Sequence, residues 1–151
     1  MIPKIEMSPA LVLAGRNGTF SLTPDAGIRH LWDKLMEDYG QIEGQVGFKA
    51  FGVCHNFDGK GHMDYLAAVQ VVNAGDVPGY LYTLIIPARK VAIFNHPGKV
   101  DGISTTWSKI FSEWLPAANL VVASGPQFEV YSHDFDADKG TGFIEIHIPV
   151  K

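Results

Sequence analysis

The C-terminal stretch constrains this chain most. Pro126-Gln-Phe-Glu-Val-Tyr131 and Phe143-Ile-Glu-Ile-His-Ile-Pro-Val150 both alternate with a period of two, the pattern of strands whose two faces meet different surroundings. In the second run Ile144, Ile146 and Ile148 point one way, and Glu145 and His147 the other. In the first, Phe128 and Val130 separate from Glu129 and Tyr131. If the apolar sides share a core, the opposite face gathers two carboxylates, a histidine and aromatic rings. A carboxylate in an aromatic-lined concavity suits an organic cation, because ring faces and carboxylates both attract positive charge.

The rest of the chain reads as sheet-rich. Sixteen glycines and nine prolines in 151 residues imply many turns, and 46% hydrophobic with 19% charged residues is the balance of one soluble folded domain. The net charge of −4, without a Lys/Arg cluster, argues against nucleic acid as a direct partner. The single Cys54 rules out an intramolecular disulfide and fits a reducing compartment. No basic segment followed by an apolar run opens the chain, and no apolar stretch nears the ~20 residues that cross a bilayer. A cytoplasmic protein without membrane contact is expected.

Two amphipathic helices interrupt the strands. The first is expected from about Pro24 to Tyr39, with Ile28, Leu31, Trp32, Leu35, Met36 and Tyr39 as its apolar stripe. Thr23 suits its N-cap, Pro24 its first position and Gly40 its stop. The second is expected from Val100 to Trp114, ended by Pro116, with Ile103, Trp107, Ile110, Phe111 and Trp114 on one side. Strands are expected at 10–15, 48–55, 65–72, 81–86, 90–96, 128–133 and 143–150, so each half reads strand–helix–strand–strand. His55-Asn-Phe-Asp-Gly-Lys-Gly61 resembles His133-Asp-Phe-Asp-Ala-Asp-Lys-Gly140 at the same place in each half. An internal repeat, approximately 8–75 and 80–151, is the expectation. The fold class is therefore α+β: duplicated units forming one antiparallel sheet with two helices, and a ligand cleft between the halves.

Other chemistries fit poorly. Asp134, Asp136, Asp138 and Glu145 have the spacing of a calcium loop, but Lys139 stands where the sharp turn needs glycine, and the flanks are strands. The six histidines lack metal-ligand spacing. There is no nucleophile elbow or phosphate loop, and Cys54, within an apolar strand, reads as an inert core thiol. No metal and no cofactor is called for. Trp32 and Trp107 pack with one face and are free to line a pocket with the other; Phe51, Tyr65 and Phe143 are further candidates. Glu129 and Glu145 carry the charge, and as a pair would also suit acid/base chemistry.

Several segments resemble a known family. Leu84-Ile-Ile-Pro-Ala-Arg-Lys-Val-Ala-Ile-Phe-Asn-His-Pro-Gly98, Phe111-Ser-Glu-Trp-Leu-Pro116, Gly125-Pro-Gln-Phe-Glu-Val-Tyr131 and Glu145-Ile-His-Ile-Pro-Val150 are similar to the GyrI-like, or AraC-type effector-binding, domain. Phe51-Gly-Val-Cys-His55 and Asp64-Tyr-Leu-Ala-Ala-Val69 extend the likeness into the first half. The resemblance implies multidrug recognition in transcription regulation: a sensor cleft for lipophilic cationic drugs. It maps the ligand glutamate onto Glu129 with Tyr131 beside it, places Phe51 and Trp32 at ring positions, and puts a second acid at Glu145. With no helix-turn-helix segment in the sequence, a stand-alone sensor or sequestering protein is expected, acting without its own DNA-binding domain. A separate regulatory protein or DNA gyrase would be its partner. The competing readings are a gyrase inhibitor, and a hydrolase of strained, cyclopropane-bearing compounds using Glu129 or Glu145 with Tyr131.

Overall fold

The computed structural model describes residues 1–21, 26–97 and 99–151. The expected cap Thr23 and first-turn Pro24 lie outside them. Eight strands, β1 (Lys4–Ser8), β2 (Leu11–Ser21), β3 (Gln45–His55), β4 (His62–Val71), β5 (Tyr82–Ile86), β6 (Arg89–Asn95), β7 (Gln127–Tyr131) and β8 (Ile144–Pro149), form one sheet. Helix α1 (Ala26–Asp38) precedes β3, and α2 (Ile103–Lys109) precedes β7. The alternating runs are strands as expected; β1, in which Ile5 and Met7 alternate with Lys4, Glu6 and Ser8, was not anticipated.

Every pairing is antiparallel, in the order β1-β6-β8-β7-β3-β4-β2-β5. The order is symmetric about the β7–β3 seam. On either side the strand after the helix lies at the seam, the final strand next to it and the strand before the helix beyond. The outermost strands cross over: β1 pairs with β6, and β5 with β2. Only Pro9 and Ala10 separate β1 from β2, although they belong to opposite ends of the sheet, so the sheet must curl until its ends meet. At that corner the register is unbroken: Ser8 faces Arg89 on one side and Leu11 faces Ile86 on the other. Between these pairs stand Pro9-Ala10 and Pro87-Ala88. Proline cannot donate to a ladder, which is why the bend falls there.

Curling gives the sheet two buried faces. Leu13, Phe51, Val53, Leu66, Ala68, Ile86, Phe128 and Val130 fill one side. On the other, α1 covers Ala14, Ala67 and Val69 with Leu35, Ile28 and Leu31, while Ile110 and Leu115 cover Ala92, Phe94, Ile146 and Ile148. The helix stripes are thus largely as expected, except that Met36 is 49% and Phe111 41% exposed.

The second helix departs from expectation at its end. Pro116 does not stop it; a π-helical stretch, Ile110–Trp114, leads into a last turn, α3 (Leu115–Ala117). The Leu115 N–H reaches back to the Ile110 carbonyl, one residue further than in an α-helix. Pro116 follows near the start of the new turn, where a missing N–H is tolerated. The stop is Asn119, in the left-handed region at φ 55°. Leu120 N donates to Leu115 O, and Asn119 N to Pro116 O, the paired bonds that close a helix C-terminus.

Candidate functional site

The seam between the halves holds a carboxyl group where an apolar core would be expected. Glu129, on β7, faces the helices with Ile146 beside it on β8 and Gly52 opposite on β3. It is 7% exposed. Its Oε1 accepts from the Tyr65 hydroxyl at 3.2 Å and the Tyr131 hydroxyl at 3.1 Å. Its Oε2 accepts from the Trp107 indole N–H at 3.0 Å. The Trp32 indole N–H donates in turn to the Tyr65 hydroxyl at 3.2 Å, and its ring meets Tyr131 edge-on at 5.4 Å. Four aromatic residues from α1, α2, β4 and β7 thus enclose one carboxylate.

Gly52 makes the arrangement possible. A Cβ there would lie 2.1 Å from the Tyr65 hydroxyl and 2.7 Å from Glu129 Oε1, so any side chain would displace the carboxylate or its donor. Ala50 and Ala67, flanking on the same face, keep the floor shallow. The π stretch lies directly after Trp107, whose ring stacks on Phe111 at 6.3 Å. His96, bonded to Thr106 and to the Lys99 carbonyl, ties the start of α2 to the end of β6.

Burial pushes the Glu129 carboxyl above the ordinary range, and the bonds from Trp107, Tyr131 and Tyr65 hold it back toward ionisation. Burial raises the Tyr65 and Tyr131 phenols, with Glu129's charge adding to the effect. The Cys54 thiol, also raised first by burial, is pushed up to about 12, the state of an unreactive thiol.

Beside this carboxylate opens a cleft of about 520 Å³, walled by Trp32, Met36, Tyr39, Phe48, Tyr131 and Phe135, with Arg29 and Asp33 at its rim. That volume suits a drug-sized molecule. Glu129 does not itself line the cleft; it lies behind Trp32 and Tyr131. Phe48 is 55% exposed because β3 bulges between Gln45 and Ala50. The Tyr39 hydroxyl donates to the Phe48 carbonyl and its ring meets Phe48 edge-on, holding the bulge against α1.

The chain matches the GyrI-like small molecule binding domain over residues 1–151. It belongs to that family. The transcriptional regulator BrlR of Pseudomonas aeruginosa is 26% identical over 152 residues, covering 99% of this chain and 56% of BrlR. The present chain therefore spans little more than half of that relative's length. A DNA gyrase inhibitor of Erwinia billingiae is 42% identical over 67 residues, covering 44% of this chain and 42% of the inhibitor. Among solved structures, SAV2435 bound to tetraphenylphosphonium superposes with a TM-score of 0.79 at 22% identity, covering 100% of this chain and 94% of that one. The curled α+β sheet is thus that of GyrI-like structures.

The GyrI-like fold brings five of the eight expected site residues together: Glu129, Tyr131, Tyr65, Trp32 and Trp107. Three stand elsewhere. Glu145 lies opposite Val130, not Glu129, and so points to the other face of the sheet. There its Oε1 lies 3.2 Å from His147 Nε2, and the His147 ring stacks on Phe128 at 4.8 Å. Phe51 is buried against Phe128 on that same face. Phe143 is 48% exposed just before β8. The alternation was read correctly, but the assumption that Phe128 and Val130 share a core with the isoleucines was wrong, because both faces are buried. Glu129 and Glu145 therefore form no acid/base pair. Gly52, Met36, Tyr39, Phe48 and Phe135 were not named as site residues. The alternating small residues Ala50 and Gly52 were the available signal for Gly52; for Phe48 it was the Gly44–Gly47 turn chemistry before it.

The calcium-like spacing resolves into a turn. Asp136 accepts the backbone N–H groups of Asp138 and Lys139. Among the described residues no cluster of His, Cys, Asp and Glu has metal-binding geometry.

Proposed function

We propose that this GyrI-like domain binds lipophilic organic cations, with Glu129 as the charge anchor and the cleft beside it as the apolar site. The buried, triply bonded carboxylate behind aromatic walls is the observation that carries the reading. Burial disfavours its ionised form, and a cation seated against Trp32 and Tyr131 would offset that penalty while the rings gain apolar contact and cation–π attraction. The tetraphenylphosphonium bound by SAV2435 is a ligand of this chemistry. The symmetric strand order, with β-α-β-β in each half and Pro-Ala at both corners, supports a duplicated unit over approximately 8–75 and 80–151. The binding role fits a sensor or sequestering module, and Glu145, the second carboxylate of the hydrolase reading, lies on the opposite face of the sheet. The likeness to a gyrase inhibitor favours one second reading, contact with DNA gyrase.

Calorimetric titration with tetraphenylphosphonium and with neutral triphenylphosphine oxide tests the first reading. Micromolar binding of the cation with much weaker binding of the neutral compound is expected. Equal affinities would leave only hydrophobic trapping and remove Glu129 from the argument. A supercoiling assay with purified gyrase tests the second reading.

A further inference from the structure

Helix α1 has two working flanks. Arg29, Asp33 and Met36 border the cleft beside Glu129. His30, Leu31 and Lys34, on the other flank, border a second cleft of about 490 Å³. It lies where β5 leaves the sheet. The β2–β5 ladder ends at the pair Gly15 and Tyr82, while β2 runs on to Ser21 paired with β4 alone. At Arg16 and Asn17 no described strand covers this edge of β2, the kind of surface that offers unpaired N–H and C=O groups.

The chemistry of this cleft is the inverse of the first. Arg16, His30 and Lys34 line it, and among the described residues no carboxylate does, although Asp38 accepts from both Arg16 and the Tyr80 hydroxyl behind it. Arg16 is partly committed: Nη2 donates to Asp38 at 2.9 Å, and the guanidinium lies 5.0 Å from the centre of the Tyr80 ring. Its Nε, however, is buried without a hydrogen-bond partner, and buried donors ordinarily find acceptors. Lys34 makes no ion pair among the described residues. Tyr80 supplies exposed ring surface to the same cleft, whereas the Tyr82 ring lies against His55. Surplus positive charge from Lys34 and Arg16 beside the exposed Tyr80 ring recognises an anion carried on an aromatic ring.

We propose that this second cleft binds an aromatic anion, a ring bearing a carboxylate or a phosphate, at a site separate from Glu129.

Titration of isotope-labelled protein with naphthoate, naphthyl phosphate and neutral naphthalenemethanol, followed by amide NMR shifts, tests this. Both anions are expected to shift Arg16, Asn17, Lys34 and Leu81, and the alcohol is not. Tighter binding of the phosphate identifies a phosphate ester as the ligand class; tighter binding of the carboxylate identifies an aryl acid. Lys34→Gln, at an exposed position, should weaken anion binding roughly three- to five-fold, the worth of a partly exposed ion pair. Glu129→Gln should leave anion binding unchanged, so this site fails or stands apart from the cation site. Alcohol binding equal to that of the anions, shifts gathered at Trp32 and Tyr131, or no shifts at millimolar anion would each overturn the proposal.

Discussion

Glu129 and Glu145 occupy neighbouring strands, in runs with the same alternation, and end in opposite environments. Glu129 sits at the seam, desolvated, with both oxygens taken by aromatic donors. Glu145 lies on the other face with its side chain 30% exposed, contacting His147 at 3.2 Å. Register makes the difference. Pairing Glu129 with Ile146 sends Glu145 through the sheet, since a one-residue offset reverses every side chain. The comparison teaches that a carboxylate becomes a binding group through what lies across from it. Glu129 faces a glycine that leaves room for donors; Glu145 faces Asn95 and Val130 and contacts His147.

The comparison is easiest to break at Gly52. Gly52→Ala drives a methyl into the Tyr65 hydroxyl and Glu129, and should destabilise the fold by ~1–3 kcal/mol as overpacking does, with loss of tetraphenylphosphonium binding. Urea denaturation with calorimetry would check both; unchanged stability and affinity would show that the carboxylate does not need this space.

Glu129→Gln keeps the shape and removes the charge. Cation affinity should fall by ~1–3 kcal/mol, roughly 5- to 150-fold, with neutral ligands little affected. The same variant exposes the pH dependence. The Glu129 carboxyl is raised by burial, so its contribution to stability is fully present below its unfolded pKa and is lost as pH rises through the folded value. His147 runs the other way: burial lowers it, so its contribution is present above about 6.5 and is lost as pH falls through the folded value. Melting curves across pH should therefore lose their alkaline-side decline in Glu129→Gln and keep their acid-side decline. Cation binding by the unsubstituted protein should strengthen as pH rises through the Glu129 titration.

Trp107→Phe removes the donor to Oε2 while keeping most of the ring. The carboxyl should rise further, and cation affinity near neutral pH should drop by about 1 kcal/mol; calorimetry at two pH values would show a larger loss at the lower one. Glu145→Gln should have the smallest effect, under ~1 kcal/mol on stability as for a partly exposed pair, and none on cation binding. Should Glu145→Gln abolish binding while Glu129→Gln leaves it intact, the two glutamates have been assigned the wrong way round.

Local pattern fixed much of this molecule. Period-two alternation located β7 and β8, helical spacing located α1 and α2, and Pro87-Ala88 marked a real corner. Glu129, Tyr131, Trp32, Trp107 and Tyr65 were legible as a constellation because charged and aromatic residues interrupt otherwise apolar positions. Pro116 was misread because a proline after a widened turn needs no hydrogen bond, a matter of backbone geometry that composition does not announce.

What the sequence determined by itself was which residues share a face within each strand, because the pleat is a property of the single chain. It could not determine which faces of different strands coincide. That was decided by the inter-strand register and by the curling of the sheet, which buries Phe128 on one side and Ile146 on the other. Two buried faces give the same alternating letters whichever way round they pack. Only the tertiary structure could place Gly52 opposite Glu129, bring Trp32 from α1 and Trp107 from α2 to one carboxylate, and leave Glu145 on the far side.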